Sequence, residues 1–387
     1  MKWASALSEE PDTARALAEG AAVLSRQLAG AEPDLVVAFV SPHHASRYDS
    51  VPDALRTAFP RALVFGCSAS GVIGDGHEVE ARPAVSVTAA ELPGVKLEPL
   101  VFADAPSDGG PAWRQRVGIS ADVDPQFLIL CDPFTCDADA LVAGLDAAYP
   151  AGRKVGGLAS GGVGPGENAL FAGDVLRRGG AVGLAMSGDI AVDTIVAQGC
   201  RPIGTPMPVT RADGHIIREL GGKQPVAVMR SIYDSLDSRD RDLFRHSLFV
   251  GLEVDEAAVE FRADFLVRNI VGVDPNTGAL AVGAQVKPWQ VIQFLLRDAR
   301  TAQHDLESHL ERYRAAQPAP SGALLFSCLG RGTHLFGRPD HDTDLFRASV
   351  GAGVPLGGFF CNGEIGPVGG QTFLHGYTSA FGLFRHK

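Results

Sequence analysis

Three times along the chain, the apolar positions spell the same sequence of elements. An apolar run is followed by a helical stretch and then by a second apolar run that ends in glycine and small polar residues. The first pair of runs is Asp34 to Val40 and Ala62 to Gly74, the latter passing through Gly66-Cys67-Ser68-Ala69-Ser70-Gly71. The second pair is Gln126 to Pro133 and Lys154 to Gly162, and the third is Gly322 to Gly330 and Pro355 to Gly366. Runs of this length bounded by Gly and Pro are strand-like, and strand–helix–strand order predicts α/β layering. Tails carrying Cys, Ser, Asn and Glu amid glycine suggest a scaffold that gathers several small polar turns around one pocket.

The spacing between these runs predicts helices. Ala14, Leu17, Ala21, Leu24 and Leu28 recur at steps of three and four, with Asp12 as N-cap and Gly30 as the stop. Ala54 to Phe59 is read as a short helix, and Asp137 caps a helix that buries Leu141, Val142 and Leu145. Beyond each glycine turn lies another strand, at Ala84 to Ala90, Gly180 to Met186 and Phe373 to Phe384. Phe171 to Leu176 reads as a hairpin arm around Gly173-Asp174. Strands that follow one another so closely pair antiparallel. The expected class is therefore α/β, or mixed α+β, with mixed, partly antiparallel sheets covered by helices.

The middle of the chain has a different texture. Cys200 to Pro208 holds three prolines and a glycine and reads as a domain junction. Val209 to Leu220 suggests two strands around Asp213-Gly214, and Pro275-Asn276-Thr277 a further hairpin. Pro288 is expected to open a long helix with Ile292, Leu295, Ala299, Ala302, Leu306 and Leu310 on its apolar face.

Composition narrows the class. The net charge of −11 argues against general nucleic-acid binding, which needs a basic footprint. The six cysteines lie far apart in a 387-residue chain, unlike a secreted disulfide scaffold, and suit a reducing cytoplasm. The N-terminal stretch lacks a signal-peptide core, and no stretch reaches the roughly 18–20 apolar residues of a spanning helix, so no membrane insertion is expected.

Candidate chemistry concentrates in the third repeat. In Ser327-Cys328-Leu329-Gly330-Arg331-Gly332, a thiol ends a strand three residues from a guanidinium, which favours the reactive thiolate. A buried strand Cys beside an ordinary ion pair is the simpler account of the same residues. Asn362-Gly363-Glu364 would present a carboxylate at a turn, where it could hold an amine while Arg331 holds a carboxylate. A solvated hairpin Glu fits that spacing equally. Gly66-Cys67-Ser68-Ala69-Ser70-Gly71 fails the G-x-S-x-G pattern, and suits a tight turn or an anion site better than a nucleophile. Ser160 occupies the matching turn of the second repeat.

Metal and nucleotide signatures do not complete. Cys131-x4-Cys136 lacks a second pair, and His304 and His309 do not share a helix face. His334, His341 and Cys328 would need the fold to bring them together. The Gly162–Gly166 run and Gly221-Gly222-Lys223-Gln224 miss the dinucleotide and P-loop patterns, so no cofactor is expected.

The motifs Gly66-Cys67-Ser68, Val155-Gly156-Gly157, Val271-Gly272-Val273-Asp274, Phe326 to Gly332 and Gly358 to Ile365 together resemble the FIST family, with its N-terminal and C-terminal FIST domains. The resemblance implies two domains, 1–204 and 205–387, since the C-terminal domain takes in the central region, and a sensory module of signal transduction that binds small ligands such as amino acids. Such domains occur in bacterial signalling proteins and in an F-box protein. The expected site is an interdomain pocket lined by Cys67, Ser68, Ser160, Cys328, Arg331, Asn362 and Glu364, with a small molecule as ligand and a signalling protein as downstream partner. A protein-docking platform is the second reading, and an enzyme using Cys328 the third. At a site of this kind Arg331→Met and Glu364→Gln would each weaken binding with the fold retained.

Overall fold

The computed structural model describes residues 1–103, 109–254 and 265–387. It divides into two compact units, Met1–Ala197 with Leu306–Lys387, and Gln198–Asp305.

The first unit is built from three copies of one pattern. The first copy runs β1 (Lys2–Ser8), α1 (Thr13–Leu28), β2 (Leu35–Val40), α2 (Val51–Ala58), β3 (Leu63–Ser68), the hairpin β4 (Gly71–Gly74) and β5 (His77–Glu80), and β6 (Val85–Glu91). The second runs β7 (Val95–Phe102), α3 (Gly109–Val117), β8 (Gln126–Cys131), α4 (Ala138–Ala148), β9 (Lys154–Leu158), the hairpin β10 (Leu170–Ala172) and β11 (Val175–Arg177), and β12 (Ala181–Gly188). The third begins with β13 (Ala191–Ala197) and is then interrupted by the second unit.

That second unit is a closed barrel of β14 (Cys200–Asp213), β15 (Ile216–Leu220), β16 (Leu248–Glu253), β17 (Phe265–Val273), β18 (Leu280–Val282) and β19 (Val291–Arg297), with α5 (Pro225–Ser235) and α6 (Ser238–His246). Its core holds Val209, Ile217, Val250, Leu280, Ile292 and Phe294. The third repeat then resumes with α7 (Ala299–Ala316), β20 (Gly322–Cys328), α8 (Gly332–Phe336), α9 (His341–Ser349), β21 (Leu356–Cys361), the hairpin β22 (Glu364–Val368) and β23 (Gln371–His375), and β24 (Ser379–Arg385).

Each repeat forms the same four-strand order, β1-β6-β2-β3, β7-β12-β8-β9 and β13-β24-β20-β21. In each, the last two strands of that order, central in the completed sheet, pair in parallel and their neighbours antiparallel, so the sheets are mixed as the strand spacing predicts. Each hairpin then leaves its own repeat. The hairpin of the first repeat pairs with β21, that of the third with β9, and that of the second with β3. The exchange closes a cycle and completes three six-stranded sheets.

The apolar runs have no polar alternation because both faces of the central strands are buried. Val37, Phe39, Leu128, Leu130, Leu324 and Phe326 face one shared core, where Phe39 stacks on Phe359 at 4.6 Å. The alternate residues face helices. Val36 and Ala38 cluster with Leu17 and Leu24 of α1, Ile129 with Leu141 and Leu145 of α4, and Leu325 with Leu306 and Leu310 of α7.

One glycine position recurs in all three repeats. Gly66, Gly156 and Gly358 have φ of 151°, 158° and 153° and lie opposite Ala38, Ile129 and Leu325 in the parallel pairs. A Cβ at any of them would overlap the carbonyl oxygen of that partner.

Several expectations change. Ile292 and Leu295 belong to β19 and not to a helix opened by Pro288; the helix begins at Ala299. Val291-Ile292-Gln293-Phe294-Leu295-Leu296 is an apolar run of strand length, almost wholly buried in the barrel, so its tertiary setting overrides the helical spacing. Cys200–Pro208 is part of β14, whose pairing with β19 shifts register between Ile203 and Met207 and so accommodates prolines within a strand. Residue 205, where the domain boundary is expected, lies within that strand. Asp12 and Asp137 cap α1 and α4 as read, accepting from Arg15 N and Ala140 N.

Candidate functional site

The threefold pattern fixes where the turns meet. Ser41 and Asp132 directly follow β2 and β8 and Cys328 ends β20, and the backbone N–H of each donates to the carbonyl of the residue that leads into the repeat's last strand: Ala84, Gly180 and Thr378. The turns after the second central strands touch one another. Ser160 N donates to Ser68 O at 3.3 Å, and Asn362 N donates to Leu158 O at 3.1 Å. Ser160 Oγ accepts from Ser70 N at 2.8 Å and donates to Phe360 O.

The seven residues singled out from sequence all lie in the first compact unit. Cys67 and Ser68 are buried on β3. Burial pushes the Cys67 thiol well above its ordinary pKa. Ser68 Oγ donates to Asn168 Oδ1 at 3.1 Å and accepts from Ala169 N at 3.1 Å, while Asn168 Nδ2 donates to buried Asp132 at 2.9 Å. Ser68 and Ser160 thus hold turns together, whereas the side chain of Asn362 is exposed.

Cys328, Arg331 and Glu364 form the second group. Arg331 is fully buried and binds Asp342 through both edges of the fork, Nε to Oδ2 at 2.8 Å and Nη2 to Oδ1 at 3.0 Å. Asp342 also accepts from Ser379 Oγ and Ser327 Oγ, and lies 2.9 Å from His341 Nδ1. Burial alone would raise the Asp342 pKa, but Arg331, His341 and Ser379 hold it well below the carboxylate range. Burial likewise opposes the charge of Arg331, and Asp342 outweighs it. The third nitrogen, Nη1, has no hydrogen-bond partner among the described residues. Phe336 lies under this guanidinium at 5.3 Å and stacks on His341 at 3.3 Å.

Glu364 opens β22 and is fully buried, in place of a solvated turn. Its Oε2 accepts from Thr378 N at 3.1 Å and Thr378 Oγ1 at 2.8 Å. Thr378 O in turn accepts from Cys328 N, which ties the half-buried Cys328 to the carboxylate. Cys328 also faces Cys361 across the parallel pair.

Sequence reading missed Asp342, Ser327, Thr378 and Ser379. Asp342 sits in the first turn of α9, where an acid is expected on helix-dipole grounds alone, so nothing marked it as the partner of Arg331. His341 does converge on this group, while His334 is exposed. Among the described residues no group of three or more His, Cys, Asp or Glu could hold a metal ion.

A second buried carboxylate borders the cluster. Glu78, on the exchanged strand β5, accepts from Thr343 N at 2.8 Å, and its own N–H donates to Asp340. Burial and the charges of Asp342 and Asp340 push its pKa from 4.5 up to about 8, against the hydrogen bonds from Thr343. The folded state therefore keeps a proton that the unfolded chain has lost. This contribution is complete below pH 4.5 and is lost as pH rises through about 8. The unfolding free energy from urea denaturation should fall between those limits by on the order of 1 kcal/mol per pH unit. Glu78→Gln should flatten the decline, and an unchanged slope would show that Glu78 does not titrate there.

The comparisons with known proteins agree with this architecture. The FIST N domain matches residues 34–223 and the FIST C domain residues 225–367. The chain therefore belongs to the FIST family, whose domains are associated with signal transduction and sensing. It is 38% identical over 380 residues to the uncharacterized protein Rv0628c of Mycobacterium tuberculosis, covering 98% of each chain. It is also 38% identical over 377 residues to the uncharacterized protein Mb0898c of Mycobacterium bovis, covering 97% of this chain and 96% of that one. An F-box/LRR-repeat protein of Arabidopsis thaliana is 29% identical over 133 residues, 30% of this chain and 25% of its own. No helix among the described residues is long and apolar enough to cross a membrane.

Proposed function

We propose that this protein is a cytoplasmic sensory module that binds a small zwitterion or carboxylate, such as an amino acid, at the Cys328–Arg331–Glu364 cluster and passes the signal to a protein partner. The observation that carries the reading is Arg331 Nη1, a buried cationic N–H donor without a hydrogen-bond partner among the described residues. Leaving such a donor unmet costs about 1–3 kcal/mol or more, which an anionic ligand oxygen would recover. Glu364 stands in the same electrostatic neighbourhood and supplies negative charge for an amine. Asn362 lies two residues before Glu364, and Ser160 Oγ donates to Phe360 O on the strand that leads to it.

Calorimetry against amino acids and small organic acids tests the proposal. Arg331→Lys keeps a cation beside Asp342 but removes the Nη1 fork, and Glu364→Gln removes the charge while keeping an acceptor for Thr378. Each should weaken binding roughly ten- to a hundredfold, the worth of one charged hydrogen bond. If no such compound binds, or if both variants bind like the wild type, the site is wrong. A protein-docking platform then becomes the better reading, one that the partial similarity to an F-box/LRR-repeat protein favours.

A further inference from the structure

A cavity of about 450 Å³ lies on the first unit and shares no lining residue with the Arg331 cluster. Its lining comes from Arg153 just before β9, the edge strand β13, the C-terminal half of α7, and the end of β22 with the turn that follows it. The volume falls within the range of small-molecule sites, roughly 300–1,000 Å³.

The floor is fixed. Asp193 on β13 receives both edges of the Arg385 fork, Nε at 2.7 Å and Nη2 at 3.2 Å, and lies 3.3 Å from the hydroxyl of buried Tyr313. The carboxylate of Asp193 is therefore already neutralised. The walls carry Arg153, Arg312 and His309. Among the described residues no carboxylate pairs with the Arg153 or Arg312 side chain; Arg312 Nε donates only to Ser308 O, one turn back at 3.1 Å. Two arginines without carboxylate partners around one cavity, in a chain of net charge −11, form a local field of the opposite sign to the whole. Thr194 lines the same space.

We infer that this cavity is a second ligand site, selective for a small dianion, whether a dicarboxylate or a phosphate. Two separate guanidinium forks suit two anionic groups, or the several oxygens of one phosphate, better than a single carboxylate. β13 leads into the barrel and α7 leads out of it, so a ligand here touches both segments that bound the inserted unit in sequence.

The test is calorimetric titration with succinate, inorganic phosphate and acetate, on the wild type and on Arg153→Gln, Arg312→Gln and Glu364→Gln. Both arginines are exposed, so the folded state should persist with an unchanged Tm. Succinate or phosphate should bind more tightly than acetate. Each arginine variant should weaken that binding roughly tenfold or more, and Glu364→Gln should leave it unchanged. Preference for succinate identifies a dicarboxylate site, and preference for phosphate a phosphate site. The inference is overturned if neither dianion binds, if acetate binds as well, or if both arginine variants bind like the wild type. Dianion binding lost in Glu364→Gln but not in the arginine variants would instead assign the ligand to the Arg331 cluster.

Discussion

Arg331→Met should destabilise the folded protein by about 3–5 kcal/mol, the usual cost of removing one partner of a buried ion pair. The substitution leaves Asp342 charged and buried with only hydroxyl groups and His341 around it. Asp342→Leu added to Arg331→Met should recover part of the loss. The recovery stays incomplete because Ser327 and Ser379 then lose their acceptor. Urea denaturation of the two single variants and the double variant gives the coupling directly. A wild-type midpoint for Arg331→Met would mean that the pair carries no weight in the fold. Sequence alone suggests that this substitution disturbs only a ligand; the structure makes Arg331 a structural cation as well, which is why Arg331→Lys is the variant suited to a binding test.

The second large effect is expected at the repeated glycine. Gly156→Ala and Gly358→Ala should each cost about 3 kcal/mol or more, combining a backbone conformation that L side chains rarely adopt with overlap against a carbonyl that the parallel pair holds in place. Gly353→Ala is the control, since a Cβ there meets nothing within 4 Å and its φ is not in the left-handed region, and it should stay within about 0.5 kcal/mol of wild type. Equal midpoints for all three variants would show that the positions are not under the constraint described.

The repeats were legible because they are written in hydrophobic runs. Strands buried on both faces must be apolar throughout, and the glycine opposite Ala38, Ile129 or Leu325 must recur wherever the parallel pair recurs. The hairpin exchange was not legible. The sequence reads Ala62–Gly74 as one run, and only the fold divides it into β3 and β4 and places the β4–β5 hairpin beside β21. The barrel shows both sides of this limit. Its altered texture from Val209 onward is plain in the sequence, but the prolines of β14 resemble a junction and β19 mimics helical spacing. That the barrel interrupts a third copy of the repeat follows only once β13 is seen to pair with β24.

At the candidate site, the sequence pointed to residues but not to their pairings. Cys328 and Arg331 are three apart and visible together. Asp342 is 11 residues further on, and Thr378 and Ser379 lie beyond three strands, so the network that buries the charge is assembled by α9 and the start of β24. Glu364 looked like a turn residue because Asn-Gly precedes it; its burial comes from the pairing of β22 with β9, a contact between repeats.

Native mass spectrometry of protein freshly purified from its expression host tests the sensory reading most directly. The account predicts a folded species carrying the added mass of one small zwitterion or carboxylate, released on mild activation and depleted in Arg331→Lys and Glu364→Gln. A bare polypeptide mass for the wild type, with none of the amino acids or small organic acids added back being retained, would contradict it.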